Sequence, residues 1–103
     1  MPHYLYQIRP VRLGMVTGDA TPEESRLVGE HFEYLRVLYE RGIAILVGRT
    51  LTTGPETLGL MVFAAADERE AQEVTARDPA ICGGVFAATL LPFKLIFPEP
   101  ISP

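Results

Sequence analysis

Residues 21–42, T-P-E-E-S-R-L-V-G-E-H-F-E-Y-L-R-V-L-Y-E-R-G, decide the fold because they carry the start and stop signals of one long helix. Thr21 predicts the N-cap, Pro22 suits the first helical position, and Glu24 completes a capping box. Gly42 stands where such a helix ends, because glycine adopts the left-handed conformation of a helix C-terminus at little cost. The stretch therefore predicts a helix of about five turns.

The single histidine of this helix lies on the face that should be buried. With a rotation of about 100° per residue measured from Leu27, the apolar side chains fall in an arc from roughly −20° to 140°. His31 falls near 40° on the same wheel, well inside that arc. Two interpretations stay open. His31 is a core residue whose ring nitrogens are satisfied by backbone groups, or it lines a pocket as a general base, since histidine titrates unaided near neutral pH.

The remaining chain predicts four strands and one more helix. Runs of aromatic, β-branched or other apolar residues between turn signals predict strands over 3–9, 43–48, 58–66 and 84–97. Asp67 predicts the N-cap of a helix over about 68–77, which stops before Asp78-Pro79 because a residue before proline avoids helical geometry. Pro92 predicts a bulge or a sheet edge in the last strand.

The order β-α-β-β-α-β is typical of α+β domains with the ferredoxin-like fold. It predicts a four-stranded antiparallel sheet with both helices on one face. A chain of 103 residues without repeats or linkers fits one domain over 1–103, with a core of about 3–97 and an extended tail over 98–103.

Residues 43–47, 58–66 and 85–91 do not alternate between apolar and polar residues, so these strands are expected to be apolar on both faces of the sheet. Helices cover only one face, and the other face would expose an apolar patch too large for a monomer. The sequence therefore predicts a homodimer in which two sheets pack face to face.

Composition limits the classes of function. The net charge is −4, with one lysine and eight scattered arginines, which does not fit a nucleic-acid-binding surface. No apolar run reaches the length of about 18 residues that a membrane span needs, and no signal peptide is visible, so a cytoplasmic protein is expected. The sequence has neither phosphate-binding glycine motifs nor metal-ligand spacings, so no cofactor and no metal are expected.

A few other side chains are candidates for chemistry. Asp78 either caps a turn before proline or orients a histidine with its carboxylate. The arginines at strand ends and in loops are solvated surface groups, or one of them holds an oxyanion of a substrate; these are Arg9, Arg12 and Arg49. Cys82 is expected to be a small buried thiol rather than a nucleophile, because no basic or helix N-terminal context activates it.

Four segments, in this order, resemble the YciI-like (YCII-related) family. They are H-F-E-Y-L-R-V-L-Y-E-R-G (31–42), G-L-M-V-F (59–63), E-A-Q-E-V-T-A-R-D-P-A (70–80) and L-P-F (91–93). The resemblance implies a ferredoxin-like dimer of the dimeric α/β-barrel kind, which agrees with the fold and assembly predicted above. It also implies that His31 and Asp78 form a catalytic dyad, with Tyr34 beside the substrate. One activity known in the family is the elimination of chloride from a chlorinated hydroxyhydroquinone.

The function that follows is a cofactor-independent lyase or isomerase in which the dyad acts as a general base. Two alternatives remain: a non-catalytic module that binds or senses a small molecule in the same pocket, and a structural subunit that associates with another protein. Two positions depart from the family pattern and affect the expected pocket. Ala80 stands where a bulkier residue is common, and Arg49-Thr50 follows the second strand where proline is common.

Overall fold

An antiparallel sheet of four strands, with its helices on one face, makes up the part of the chain that this computed structural model describes, residues 1–98. In chain order the elements are β1 (His3–Pro10), a 3₁₀ turn (Leu13–Val16), α1 (Pro22–Glu40), β2 (Ala44–Arg49), β3 (Gly59–Ala64), α2 (Glu68–Ala76), α3 (Pro79–Cys82) and β4 (Phe86–Phe93). The strand order is β2-β3-β1-β4, and each neighbouring pair is antiparallel. The α+β, ferredoxin-like fold class predicted from the sequence is confirmed.

The caps predicted for α1 are present. The Thr21 hydroxyl accepts a hydrogen bond from the Glu24 N–H at 3.1 Å, and the Glu24 carboxylate accepts one from the Thr21 N–H at 2.9 Å. Gly42 follows the helix with a φ of 77°, the left-handed conformation that glycine tolerates. Neither α1 nor any other helix within residues 1–98 has the length and apolar character needed to cross a membrane.

The core lies between α1, α2 and one face of the sheet. Side chains alternate along β1, so that Tyr4, Tyr6 and Ile8 point to the helices and are buried. They pack with Leu35 and Leu38 of α1. The buried side of α1 is narrower than the apolar arc of the helical wheel, and two aromatic side chains of that arc are exposed, Phe32 (53%) and Tyr39 (59%).

Some element boundaries differ from the predictions. The short helix α3 is an additional element, which starts because Asp78 caps it and Pro79 occupies its first position. The last strand is shorter than the predicted range of 84–97. It begins only at Phe86, after Gly84 with its positive φ of 75°, and it ends at Phe93. Pro92 lies in β4, an edge strand, as predicted.

Cys82 is exposed, which corrects the prediction of a buried thiol. Apart from its first residue, the predicted tail 98–103 lies outside the described residues.

The second face of the sheet carries many apolar side chains beside a few polar ones, such as Gln7 and Thr89, and in residues 1–98 both long helices pack on the opposite face. The register places Leu5 beside Val62 on β3 and beside Leu91 on β4. We call this surface the open face, and its large apolar side chains are Leu5, Leu46, Leu60, Val62, Leu91 and Phe93. Several of them are substantially exposed, for example Leu46 at 54% and Leu91 at 43%. Exposed apolar surface of this kind commonly marks an interaction site.

Removal of the α1 cap gives a first prediction. We expect Thr21→Ala to lower the free energy of unfolding by about 1 kcal/mol, because the Glu24 N–H loses its acceptor. Chemical denaturation measures the change. Ser25→Ala is the matched control, because Ser25 is an exposed residue of the same helical turn, and its hydroxyl has no hydrogen bond in the described part of the chain. An equal loss in both variants would contradict the role given to the cap.

Candidate active site

Asp78 is fully buried and joins three parts of the fold through its two carboxylate oxygens. Oδ1 accepts a hydrogen bond from the Ala80 N–H at 2.9 Å, so that Asp78 caps α3. Oδ2 accepts a hydrogen bond from the Tyr6 hydroxyl at 2.7 Å and lies 2.7 Å from Nδ1 of His31. Asp78 therefore caps the turn before proline, and its carboxylate also contacts His31.

The local chain geometry explains how these side chains meet. Asp78 precedes proline and has extended backbone angles, φ −63° and ψ 123°, so α2 ends and the chain turns between α2 and α3. His31 comes from the buried side of α1, and Tyr6 comes from the helix-facing side of β1. The site therefore connects helix, sheet and the α2–α3 corner over separations of 47 and 72 residues in the sequence.

The hydrogen bonds define which nitrogen of His31 carries a proton in the neutral ring. Each Asp78 oxygen already accepts from a fixed donor, the Ala80 N–H or the Tyr6 O–H. A carboxylate that also accepts from His31 satisfies all these groups, so we assign the imidazole hydrogen to Nδ1. Nε2 is then the nitrogen that can accept a proton.

His31 lines a cavity, and its Nε2 is the ring nitrogen without a hydrogen-bond partner in the described residues. Every side-chain N or O atom of those residues that is fully buried from solvent does have a hydrogen-bond partner. Nε2 must therefore retain accessible surface, and His31 does line a cavity of about 230 Å³. Phe86 meets the imidazole edge-on at a centroid distance of 5.1 Å, and Phe32 lies at 5.4 Å, so the orientation of the ring is restrained by packing as well as by Asp78.

The cavity lies between α1 and the end of the sheet where β1 finishes and β3 begins. Most of its wall is apolar, with contributions from Ile8, Leu35, Met61 and Phe86. Four polar side chains interrupt this wall: Tyr6, His31, Arg49 and Thr57. An apolar pocket with a few convergent polar groups is the usual form of a small-molecule site.

The structure brings together some of the predicted site residues and separates others. His31 and Asp78 are in contact, and Arg49 lines the cavity. Arg9 does not line it, because Arg9 follows Ile8 on β1 and so belongs to the open face. The Tyr34 hydroxyl donates instead to the Val74 carbonyl at 2.7 Å and links α1 to α2, away from the cavity.

Tyr6 and Thr57 are parts of the site that the sequence did not reveal. The only signal for Tyr6 was that a tyrosine predicted to be buried needs a partner for its hydroxyl. Burial, together with the hydrogen bond to Asp78, raises the pKa of Tyr6 above its usual value of 10.0. Within residues 1–98, no three side chains of the His, Cys, Asp and Glu types cluster in a way that could hold a metal ion.

The Tyr6 hydrogen bond gives a second prediction. We expect Tyr6→Phe to lower the free energy of unfolding by about 1.5 to 3 kcal/mol, since a buried charged group loses a donor. Tyr4→Phe is the control, because Tyr4 is buried on the same face of β1 and its hydroxyl has no hydrogen bond in the described chain. Denaturation of both variants measures the difference, and equal effects would show that the Tyr6 bond adds nothing.

The raised pKa of Tyr6 gives a third prediction. Above about pH 10 the unfolded chain releases the Tyr6 proton while the folded chain keeps it, so stability falls as pH rises. We expect this group to contribute a slope of at most about 1.4 kcal/mol per pH unit. Denaturation curves between about pH 9 and 11 should therefore fall less steeply for Tyr6→Phe than for the natural chain. Parallel curves would disprove the assignment.

Comparisons with known proteins place this chain in a family. A search of curated proteins found no match. One similar solved structure is the 5-chloro-2-hydroxyhydroquinone dehydrochlorinase of Burkholderia phenoliruptrix in complex with 2,5-dihydroxybenzoquinone. It shares 20% identity and a TM-score of 0.64 over 88% of this chain and 93% of that chain, which shows a common fold. The family model for the YCII-related domain matches residues 6–94, and the chain therefore belongs to the family of YCII-related domains.

Proposed function

We propose that this chain is a cofactor-independent enzyme of the lyase or isomerase type that acts on a small molecule. His31 is the general base, and Asp78 is the residue that positions it. One observation carries the proposal: Nδ1 of a buried histidine contacts a buried carboxylate at 2.7 Å, while the ring lines a cavity and its other nitrogen has no partner in the described residues. A base held in a fixed tautomer beside a small-molecule pocket is the arrangement that proton abstraction requires.

The proposed chemistry begins with transfer of a proton from the substrate to Nε2 of His31. The proton comes from a phenolic O–H or from a C–H next to a carbonyl group. In an elimination, the electron pair of the broken bond moves into the substrate and a leaving group such as chloride departs with its bonding pair, so that one proton and one anion are lost. In an isomerisation, His31 returns the proton to another atom. Such a base supplies a rate enhancement of about 10² to 10⁴.

Asp78 and Tyr6 support this step in different ways. The Asp78 carboxylate holds the ring through Nδ1 and stabilises the imidazolium that forms when Nε2 gains a proton. Tyr6 is a positioning residue, because it donates to the oxygen of Asp78 that contacts His31. Both therefore act through His31 in the proposed step.

The size of the cavity and the structural neighbour suggest the first substrates to test. A cavity of about 150 Å³ inside a protein holds benzene, so the cavity of about 230 Å³ has room for one substituted ring. The neighbouring enzyme is named for a chlorinated hydroxyhydroquinone and is described with a bound dihydroxybenzoquinone. We therefore propose ring-sized phenols and quinols as the first candidates for this chain.

The tautomer of His31 is the most direct test of the proposed base. Two-bond ¹H–¹⁵N NMR spectra of the neutral ring are expected to show hydrogen on Nδ1 and a bare Nε2. In Asp78→Asn the ring faces an amide, which can donate, so we expect the population of the opposite tautomer to increase. A natural chain with hydrogen on Nε2 would refute the proposal, because that nitrogen could not accept a proton.

Turnover is the second test of this function. Purified protein is incubated with 5-chloro-2-hydroxyhydroquinone and other ring-sized phenols, and chloride release and product spectra are recorded. We expect His31→Gln to lose at least about 10²-fold in rate, whereas His3→Gln keeps its rate because His3 lies away from the cavity on β1. Full activity in His31→Gln would contradict the proposal. Saturable binding without turnover would favour the binding module that the sequence left open.

The homodimer predicted from the sequence also remains a proposal, and the open face supports it. All four strands contribute apolar side chains to that face, and a second copy would bury them by sheet-to-sheet packing. The cytoplasmic location and the absence of nucleic-acid and membrane partners stay predictions from the sequence.

Light scattering on eluting protein tests the assembly. We expect twice the chain mass of 11.4 kDa for the natural protein. Leu91→Lys should raise the dissociation constant at least about tenfold, since it places charges in an apolar interface. Leu51→Lys is the control, because Leu51 is 90% exposed and lies outside the sheet. A natural protein that is monomeric at micromolar concentration would exclude the proposed dimer.

A further inference from the structure

In the part of the chain that the structure describes, the cavity wall carries permanent charge of one sign only, which is positive. Arg49 is the only permanently charged side chain among the described residues that line it, and no aspartate or glutamate of residues 1–98 does so. The rest of the wall is mainly apolar. A single cation beside apolar walls favours a ligand with one negative charge. Because Arg49 is exposed, solvent screens part of the charge attraction, and hydrogen bonds from the guanidinium supply the rest.

Arg49 has no ion-pair partner in the described part of the chain. Four other arginines are paired with carboxylates there: Arg12, Arg26, Arg36 and Arg69. The chain has more acidic than basic residues, with a net charge of −4, yet none of the described acidic side chains lies within salt-bridge distance of this guanidinium. Arg49 is therefore available to bind an anion that enters the cavity.

The backbone that carries Arg49 is held firmly. Directly after it, the Thr50 N–H donates to the Leu58 carbonyl at 2.9 Å, and the Thr50 hydroxyl accepts from the Leu58 N–H at 3.0 Å. A chain of hydroxyl contacts then continues through Thr52 to Thr57, at 2.8 and 3.0 Å. Thr57 is buried and lines the cavity. The backbone next to Arg49 is thus joined by hydrogen bonds to Leu58, and through the threonine hydroxyls to Thr57 in the cavity wall.

We propose that Arg49 makes the cavity selective for substrates that carry one negative charge on a ring-sized apolar body, such as an aromatic carboxylate or an acidic phenolate. The guanidinium binds the anionic oxygens, through two parallel N–H···O bonds where the group is a carboxylate. The inference rests on the proposed function only in assigning the bound anion to the substrate of His31. Selectivity for the anion itself needs no turnover.

Binding of benzoate and of its neutral analogue benzamide tests this inference in the natural protein. The two probes have nearly the same shape, so a difference in affinity reports the charge. We expect benzoate to bind at least about tenfold more tightly, since hydrogen bonds to a charged group add about 1.5 to 3 kcal/mol. NMR titrations give both dissociation constants and show whether signals of cavity residues move. Equal affinity, or no shift of the cavity signals with benzoate, would overturn the inference.

Arg41 provides a control, because it is another exposed arginine but lies at the end of α1, away from the cavity and from the open face. Arg49→Gln should abolish the preference for benzoate and leave benzamide binding unchanged, whereas Arg41→Gln should keep the preference. Arg49→Lys should retain part of it, since lysine keeps the charge without the planar fork. Equal losses in the Arg49→Gln and Arg41→Gln variants would show a general effect of surface charge and overturn the inference.

His31→Gln separates this inference from the proposed function. We expect the variant to keep the benzoate preference even where it abolishes turnover. If the preference disappears in His31→Gln and persists in Arg49→Gln, a protonated His31 is the anion site and the inference is wrong. If the benzoate preference depends on Arg49 while the His31 tautomer test fails, the charge selectivity stands and the general-base function falls.

Discussion

The rest of the structure depends on one buried carboxylate. Asp78 has no exposed surface, and burial of an ionised group without partners is costly. Its cost is offset here because both oxygens accept hydrogen bonds, from Ala80, from Tyr6 and, in the tautomer assigned above, from His31. The same atoms fix the start of α3, the distance between α1 and β1, and the orientation of the imidazole. Stability and site geometry therefore share one set of contacts.

The two faces of the sheet carry different parts of the molecule. The helix-facing side contains the core, and at one end it opens into the cavity that holds His31 and Arg49. The open face carries the apolar surface that supports the proposed dimer. Because neighbouring residues on a strand point to opposite faces, one step along a strand moves a side chain from one role to the other. Arg9 and Ile8 show this directly, since only Ile8 lines the cavity.

The sequence predicted what local chemistry determines. The capping residues Thr21 and Glu24 act over one helical turn, and the helical period placed His31 on the buried face, so both features could be read without a structure. The contact between His31 and Asp78 spans 47 residues and depends on how the helices and the α2–α3 corner pack. The residues alone offered it as one of two interpretations of Asp78, and the family resemblance favoured it. The hydrogen bond of Tyr6 depends on the same packing and was missed. Arg9 and Arg49 looked equivalent until the strand register was known. The limits of β4 were also missed, because the residues at both ends of the strand are apolar and show no alternation with polar residues.

The way Asp78 is shared has a consequence for the descent of such proteins. A chain that kept the fold without any reaction would still need the Asp78 carboxylate. Removal of the carboxylate would leave a tyrosine hydroxyl, a histidine nitrogen and a helix N–H without a hydrogen-bond partner in the protein interior. The residue pair would thus be retained even without the reaction proposed for it. Part of the cavity wall, such as Ile8 and Leu35, belongs to the core, whereas Arg49 is exposed and can change without unfolding the domain. Differences in ligand between such proteins would then arise from substitutions in the cavity wall, where this chain has a single arginine.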